Sequence, residues 1–580
     1  MFNSTHNQID NFPVKNQNKS IKSLFVLTPL MLPVTFYLPV PVLVGQLQNN
    51  GFDATGLDLN IEFYNDVLTS KYILKTKKIL EKMIKNPIDI PSQKLQTIKE
   101  NLADSKKINS LLTLIDKAVK SIKSEKHIEL NELQKASYII NETMKFISLP
   151  YFPTRIKYRR IEYDYCLNYD EIKRFCFDKN QNIFIDYFNE KIETKIVDKN
   201  FDLIGIACTK HSNICPTLTL ARLLKEKTNA HIVLYGEAFT YHKDSVSEYP
   251  EFFDIFCDSI LVHNEESSIL ELADCIENKT GLEDVSGIIY KDNENKVKVN
   301  SVKPLLNMDS VTKISLDGMD LTSYLTADMV APIAFSKGCY YGQCMFCDLP
   351  RKQTESYNSI DKTVEQIVSE IQELQQLYNI NRFSFCDYAI SPHFYDKLSD
   401  EIIKRNLKIT YNSYARLESG FTKTLLKKMH ESGVRRIFWG LESGSDRILK
   451  LMNKGIDPNN VPTILKDSYE AGISNVISVM FGFPSETEDD FNKTVDLCLK
   501  CEDYIHSYLY QKFVLYKNSP INTKIEEFSL ELTMSAEFMA YQSFIDQNLT
   551  DEEKTARLKA FEEKALPINK AKLFEYLGSF

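Results

Sequence analysis

Gly338-Cys-Tyr-Tyr-Gly-Gln-Cys-Met-Phe-Cys-Asp-Leu-Pro350 spaces Cys339, Cys344 and Cys347 as C-x-x-x-x-C-x-x-C. An apolar run at 329–335 precedes it and reads as a buried strand, after which Lys337-Gly338 turns the chain into a loop. Three thiolates on so short a loop can converge on one soft metal centre. Structural zinc sites and ordinary electron-transfer clusters are closed by four protein ligands. A cluster held by three leaves one iron open to a substrate or cofactor. The next cysteine is Cys386 and the next histidine is His393, so no fourth ligand lies near in sequence. The rival reading is a non-catalytic metal-binding module: a zinc knuckle completed from a distance, or cysteines buried as small apolar groups.

Downstream of the loop, helical and strand-like patterns alternate. Strands are expected at 382–387, 408–414, 436–441, 476–481 and 505–515, and helices at 360–377, 394–405, 423–433, 461–472 and 489–501. With the strand before the cysteines, these make six β/α units over 327–525 and predict a partial, TIM-like β/α barrel. Active residues in such barrels sit at the carboxyl ends of the strands. Those ends read Phe385-Cys-Asp387, Tyr411-Asn-Ser-Tyr-Ala-Arg416, Gly440-Leu-Glu-Ser-Gly444 and Gly482-Phe-Pro-Ser-Glu-Thr487.

Two blocks, Gly440-Leu-Glu-Ser-Gly-Ser-Asp-Arg-Ile-Leu-Lys-Leu-Met-Asn-Lys-Gly455 and Met480-Phe-Gly-Phe-Pro-Ser-Glu-Thr487, resemble the radical SAM superfamily when taken with the cysteine triplet. The first gap of the triplet is one residue longer than usual there, and Phe346 holds the aromatic place before the last cysteine. The resemblance implies a 4Fe-4S cluster on Cys339, Cys344 and Cys347. Its open iron would chelate the amino and carboxylate groups of S-adenosyl-L-methionine, whose one-electron cleavage starts radical chemistry. The protein then supplies binding and orientation. On the same resemblance Asp387 is a candidate for the methionine amino group and Arg416 for the carboxylate. Glu442 and Ser443 are candidates for the ribose hydroxyls or the substrate side, and Phe346 for a stack near adenine. Glu442 and Arg416 could instead pair with each other. An electron donor such as flavodoxin or ferredoxin is implied.

The region 24–310 reads as an interrupted Rossmann-like parallel sheet. Strands are expected at 24–28, 52–59, 202–208, 231–236 and 256–262, with a further one at 182–188, and a lysine-rich helical insertion at about 64–150. This layout resembles the cobalamin-binding domain that precedes the barrel in one branch of the superfamily. The chain departs from that branch at its motifs. Asp58-Leu-Asn60 stands where a D-x-H-x-x-G would supply a histidine to cobalt. Tyr235-Gly-Glu237 and Val262-His-Asn-Glu-Glu266 stand where glycine-rich turns are usual. Cobalamin binding and a cobalamin-independent sheet are therefore both open. The first fits C-methylation of a peptide or natural product, and the second fits cyclisation, oxidation or epimerisation. A methylthiotransferase would carry a second cysteine triplet upstream, which is absent here.

The remaining segments are a polar N-terminal stretch at 1–23, a linker at 308–325 and a polar helical tail at 526–580. At 580 residues, with 43% hydrophobic and 26% charged residues, the chain is globular and too long for one domain. A formal net charge of −9 argues against nucleic acid as a partner and leaves a small-molecule or peptide substrate. The 12 cysteines form no small disulfide framework, which together with an iron–sulfur site suits a reducing cytoplasm. The stretch 24–44 is strongly apolar, but Pro29, Pro33, Pro39 and Pro41 break it, so no membrane insertion is expected.

Overall fold

The computed structural model describes residues 19–124, 130–158, 160–162, 168–303, 313–348, 360–535 and 537–577. Most of the polar N-terminal stretch, the first residues of the 308–325 linker and the last two residues of the cysteine stretch lie outside these.

The first sheet has seven strands: β1 (Lys22–Leu27), β2 (Asp53–Asp58), β3 (Leu203–Ala207), β4 (His231–Tyr235), β5 (Ser259–Leu261), β6 (Ile288–Lys291) and β7 (Val297–Val299). Their order is β2-β1-β3-β4-β5-β6-β7. The first five are parallel, and β6 and β7 return antiparallel. β1 and β3 are buried along almost their whole length, as strands covered by helices on both faces must be. The carboxyl ends of β3, β4 and β5 lead into helices His211–Lys227, Glu237–Tyr241 and Glu265–Asn278. Between β2 and β3 the expected insertion is four helices, Ser70–Lys85, Ser92–Ala103, Ser105–Ser124 and Leu130–Ser148.

The strand expected at 182–188 is instead the start of helix Phe184–Lys195. Asn182 decides it. Its side-chain oxygen accepts from the Phe184 amide, and its amide group donates to Thr219 on helix His211–Lys227. Phe184, Phe188 and Ile192 then fall on one helical face and are fully buried. A short apolar run does not by itself separate strand from helix.

The second sheet is parallel throughout and in chain order: β8 (Val330–Ile333), β9 (Arg382–Phe385), β10 (Thr410–Arg416), β11 (Val434–Glu442), β12 (Ser474–Phe481) and β13 (Ser507–Lys512). It is the expected six-unit partial barrel. Thr363, Ser391, Thr422 and Thr487 cap four of its outer helices with their hydroxyls, which fixes where each loop ends and its helix begins. Register stacks side chains in layers. Arg416, Gly440, Ser478 and Leu509 align near the carboxyl end.

The tail is not helical from 526 onward. Its first part is a hairpin, β14 (Leu530–Leu532) and β15 (Phe544–Asp546), and helix Asp551–Leu577 follows. Phe544 packs on Phe513, and Leu530 joins the same apolar cluster at the barrel mouth. Lys554 to Asp546 (3.1 Å) and Arg557 to Glu486 (2.8 Å) then clamp the helix down. Among the described residues no helix is long and apolar enough to cross a membrane.

Candidate active site

The cysteine loop leaves β8 through a short antiparallel pair, Ser336–Lys337 with Ile360–Asp361. Gly338 (φ +94°) and Gly342 (φ +60°) then turn it. Cys339, Cys344 and Cys347 are all half-buried. The loop is anchored from below by the Gly440–Gly455 block: the Met345 amide donates to the Met452 carbonyl at 2.8 Å. Tyr340 and Tyr341 stand in the first gap, and both tyrosines are held. Tyr340 donates to Glu418 (2.5 Å), and Tyr341 donates to the Asn453 carbonyl (2.7 Å). The Arg416 guanidinium lies 3.4 Å from the centre of the Tyr341 ring. Gly455 is required beneath it, because a Cβ there would come within 2.4 Å of the Tyr341 hydroxyl.

Arg416 is buried and donates to the Lys454 (2.6 Å) and Gly455 (3.3 Å) carbonyls. The partner of Glu442 is Lys454, not Arg416. Lys454 Nζ sits 2.8 Å from Glu442 Oε1, both are buried, and Ser478 donates to Oε2 at 3.3 Å. Burial alone would discharge Lys454, but Glu442 and Cys344 hold its pKa above the ordinary lysine value. Glu442 takes φ +66°, rare for a residue with a side chain, and the β11–β12 register shifts there. Such local strain gathers at functional sites. Gly440 leaves room for the pair: a Cβ there would stand 2.8 Å from both Glu442 Oε1 and Lys454 Nζ. Phe346 completes the group, with Lys454 Nζ 5.5 Å from its ring centre. Burial raises the Cys344 pKa, and Lys454 and Arg416 offset only part of that rise.

Asp387 ends β9 and faces the start of the loop. Its Oδ1 accepts from the Phe335 and Ser336 amides and the Ser336 hydroxyl (3.2, 2.8 and 2.6 Å), while Oδ2 is buried with no partner. Burial pushes its pKa up to about 6 against those bonds. Ser443 is fully buried and turned away, with its hydroxyl between Thr494 and the Ser445 amide. It braces the turn after Glu442 against helix Glu488–Lys500.

Above the loop lies a cavity of about 550 Å³. Phe346, Cys347, Glu442 and Ser478 line its barrel side; Lys210, His211, Glu237 and Tyr241 line its sheet side; Tyr516 and Ala540 close it. A second cavity of about 270 Å³ shares Glu237, Tyr241 and Asp348 with it and runs along helix Pro39–Gln48 toward Glu265 and Lys337. The carboxyl end of the first sheet and the mouth of the barrel thus face one another across a shared space. Gly236 (φ +109°) turns the chain there, and a Cβ on it would come within 2.5 Å of the Cys208 carbonyl. Asp58 takes no part. It caps helix Leu59–Val67 through the Ile61 amide (2.8 Å) and accepts from Tyr324 (2.6 Å).

Among the described residues no three His, Cys, Asp or Glu side chains are grouped to hold a single metal ion. A zinc ion needs its ligands gathered around one point. A cubane puts each thiolate on a different iron, and three half-buried thiols on one loop, one of them on the cavity, supply that donor set. Lys454, Glu237, Tyr241 and Asp348 escaped the sequence reading. Lys454 stood inside a recognised block but next to no other acid or base. Glu237 and Tyr241 meet the loop only through tertiary packing, and Asp348, which follows Cys347 directly, meets them only there.

Residues 333–498 match the family described as the Radical SAM superfamily. An uncharacterized methyltransferase of Pyrococcus horikoshii is 28% identical over 320 residues, covering 53% of this chain and 67% of that protein. The structure of the radical S-adenosylmethionine methyltransferase TsrM from Kitasatospora setae, with cobalamin and a [4Fe-4S] cluster bound, aligns over 93% of this chain and 91% of its own with a TM-score of 0.58 at 14% identity. The cobalamin-dependent S-adenosylmethionine radical enzyme OxsB, with aqua-cobalamin and S-adenosylmethionine bound, aligns over 65% of this chain with a TM-score of 0.53 at 17% identity. This chain spans 60% of the OxsB chain.

Proposed function

We propose that the chain, whose residues 333–498 match the Radical SAM superfamily, is a radical SAM methyltransferase that places a corrinoid between its two sheets. The observation that carries this is the shared cavity. The cysteine loop and the carboxyl end of the first sheet open onto one space. TsrM and OxsB, whose folds this chain shares, hold cobalamin in their structures.

Cys339, Cys344 and Cys347 would hold the 4Fe-4S cluster. When bound, the cluster supplies one electron to S-adenosylmethionine and an open iron for its amino and carboxylate groups, and the corrinoid supplies a methyl carrier. The chain's own residues do the positioning. Asp387 Oδ2 is a buried, unpaired carboxylate oxygen suited to an ammonium. Lys454 is a fixed cation beside Cys344, suited to the methionine carboxylate. Glu442 keeps its side chain on the cavity, where ribose hydroxyls can bond it, and Ser443 braces that turn. Phe346 offers a ring face. Arg416 holds the tyrosines of the loop in place. An external one-electron donor such as flavodoxin or ferredoxin completes the cycle, and the substrate is a small molecule or a peptide.

The test is anaerobic purification from cells supplied with cobalamin, reconstitution with iron and sulfide, and metal analysis with a visible spectrum. About four irons and about one cobalt per chain are expected. Iron without cobalt would sink the corrinoid and leave cobalamin-independent radical chemistry. Zinc in place of iron would sink the enzyme.

A further inference from the structure

The segment 537–546 crosses from the barrel mouth to the first domain and roofs the larger cavity through Ala540. Backbone bonds tie it to the barrel: Lys517 N to Ala540 O at 3.0 Å and Gln542 N to Leu515 O at 2.7 Å. Toward the first domain it is held at Glu537. One carboxylate oxygen accepts from the Tyr169 amide (2.9 Å) and the other from the Tyr249 hydroxyl (2.9 Å). The Glu537 amide donates to Asn168 Oδ1 (3.3 Å), and its carbonyl accepts from Ser245 (3.3 Å) and Lys517 (3.1 Å). Tyr169 opens helix Tyr169–Phe177, so the carboxylate also meets the positive end of that helix. Next to it Phe538 is buried with its ring 5.4 Å from that of His242, and its carbonyl bonds His211 in the cavity wall.

These contacts come from opposite ends of the chain and meet on a segment whose outer face is exposed at Tyr541 and Ile545. Toward the first domain it is held, apart from Phe538, by polar bonds around Glu537, which open locally at low cost. Cys347 of the cysteine loop lines the same cavity as Ala540. We propose that Glu537 is a positioning latch that seats this segment as the roof of the cavity, and that its release admits ligand to the cysteine loop. The inference rests on reading the cavity as the reaction chamber. Glu537 acts through Ala540 and Phe538 and touches no reacting atom.

The experiment is hydrogen–deuterium exchange on the full chain, comparing wild type with Glu537→Ala, Glu537→Gln and Tyr249→Phe. Peptides within 538–546 should exchange about tenfold faster in Glu537→Ala, and less so in the other two, with β11 and β12 unchanged. On iron-loaded protein a soluble iron chelator should bleach the cluster several-fold faster in Glu537→Ala, at equal initial iron content. Unchanged exchange at 538–546, or an equal rise across β11 and β12, would overturn the latch. If Glu537→Ala does not fold, Tyr249→Phe decides by the same peptides. If the chain takes up no iron, the proposed chemistry fails while the exchange result still judges the latch.

Discussion

Two C-x-x-C pairs stand in the same barrel, and they differ in everything that matters to a metal. Cys344 and Cys347 lie on a loop, half-buried, and Cys347 lines a cavity. Cys344 has Lys454 and Arg416 beside it, which favour its thiolate against the effect of burial. Cys498 lies inside helix Glu488–Lys500 and Cys501 is its C-cap; both are buried. Burial pushes their thiols up to about 12 and about 11. Equal spacing brings the sulfurs of each pair close in sequence. Their surroundings separate them: one pair is on a loop with two cations beside Cys344, the other at the buried end of a helix.

Substitution at each pair tests that contrast most sharply. Cys344→Ala should fall from about four irons per chain to near none and lose S-adenosylmethionine cleavage with them. Cys498→Ala should keep both and lose only about 1–3 kcal/mol of stability, measured by urea unfolding. Iron retained by the first variant, or lost by the second, would erase the distinction.

The next largest effect belongs to the cation that makes the difference. Lys454→Met leaves Glu442 buried without its partner, which should cost about 3–5 kcal/mol of folding stability. It should also weaken S-adenosylmethionine binding about a hundredfold by titration calorimetry, as expected for a lost charge-assisted contact. Unchanged affinity would move Lys454 from the cofactor to the scaffold. Gly440→Ala probes the same pair from the side. Its Cβ would meet both charged atoms at 2.8 Å, so the variant should lose less than Lys454→Met but in the same two measurements.

What the sequence made legible follows from how far each signal reaches. The barrel was legible because each β/α unit is local: an apolar run, a hydroxyl cap, an amphipathic helix. The cysteine triplet was legible because its ligands share one loop. Phe346 and Glu442 line the cavity and Asp387 faces the start of the loop. Phe346 was singled out by its place before the last cysteine, and Asp387 and Glu442 at strand ends, where barrels keep chemistry. Arg416 and Ser443 shared that position, but their side chains turn to the Tyr341 ring and to Thr494, and strand position cannot report a rotamer. Lys454 was quoted within its block and left without a role, since its partner is 12 residues back across a strand end. Glu537 meets Tyr169 across 368 residues, and no local pattern could reveal that. The strand expected at 182–188 failed for a related reason: one asparagine side chain converts an apolar run into the start of a helix.

A finer contrast lies between two acids that burial raises alike. Asp387 and Asp58 are both pushed up to about 6, one at the barrel site and one under the first sheet. For each, the folded chain holds the proton more tightly than the unfolded chain does. Their contribution to stability therefore declines as pH rises from about 4 to about 6 and is flat above that. Affinity for a cationic amino group runs the other way at Asp387, because the carboxylate must be ionised to accept it. Binding of S-adenosylmethionine should weaken below about pH 6, by up to about tenfold per unit. Asp387→Asn should abolish that affinity slope and remove part of the stability slope. Asp58→Asn should remove a similar part of the stability slope and leave the affinity slope whole. Titration calorimetry and urea unfolding from pH 5 to 8 separate the two. An affinity slope that survives Asp387→Asn would mean that the ammonium is held elsewhere, and that this buried oxygen serves only the turn into the cysteine loop.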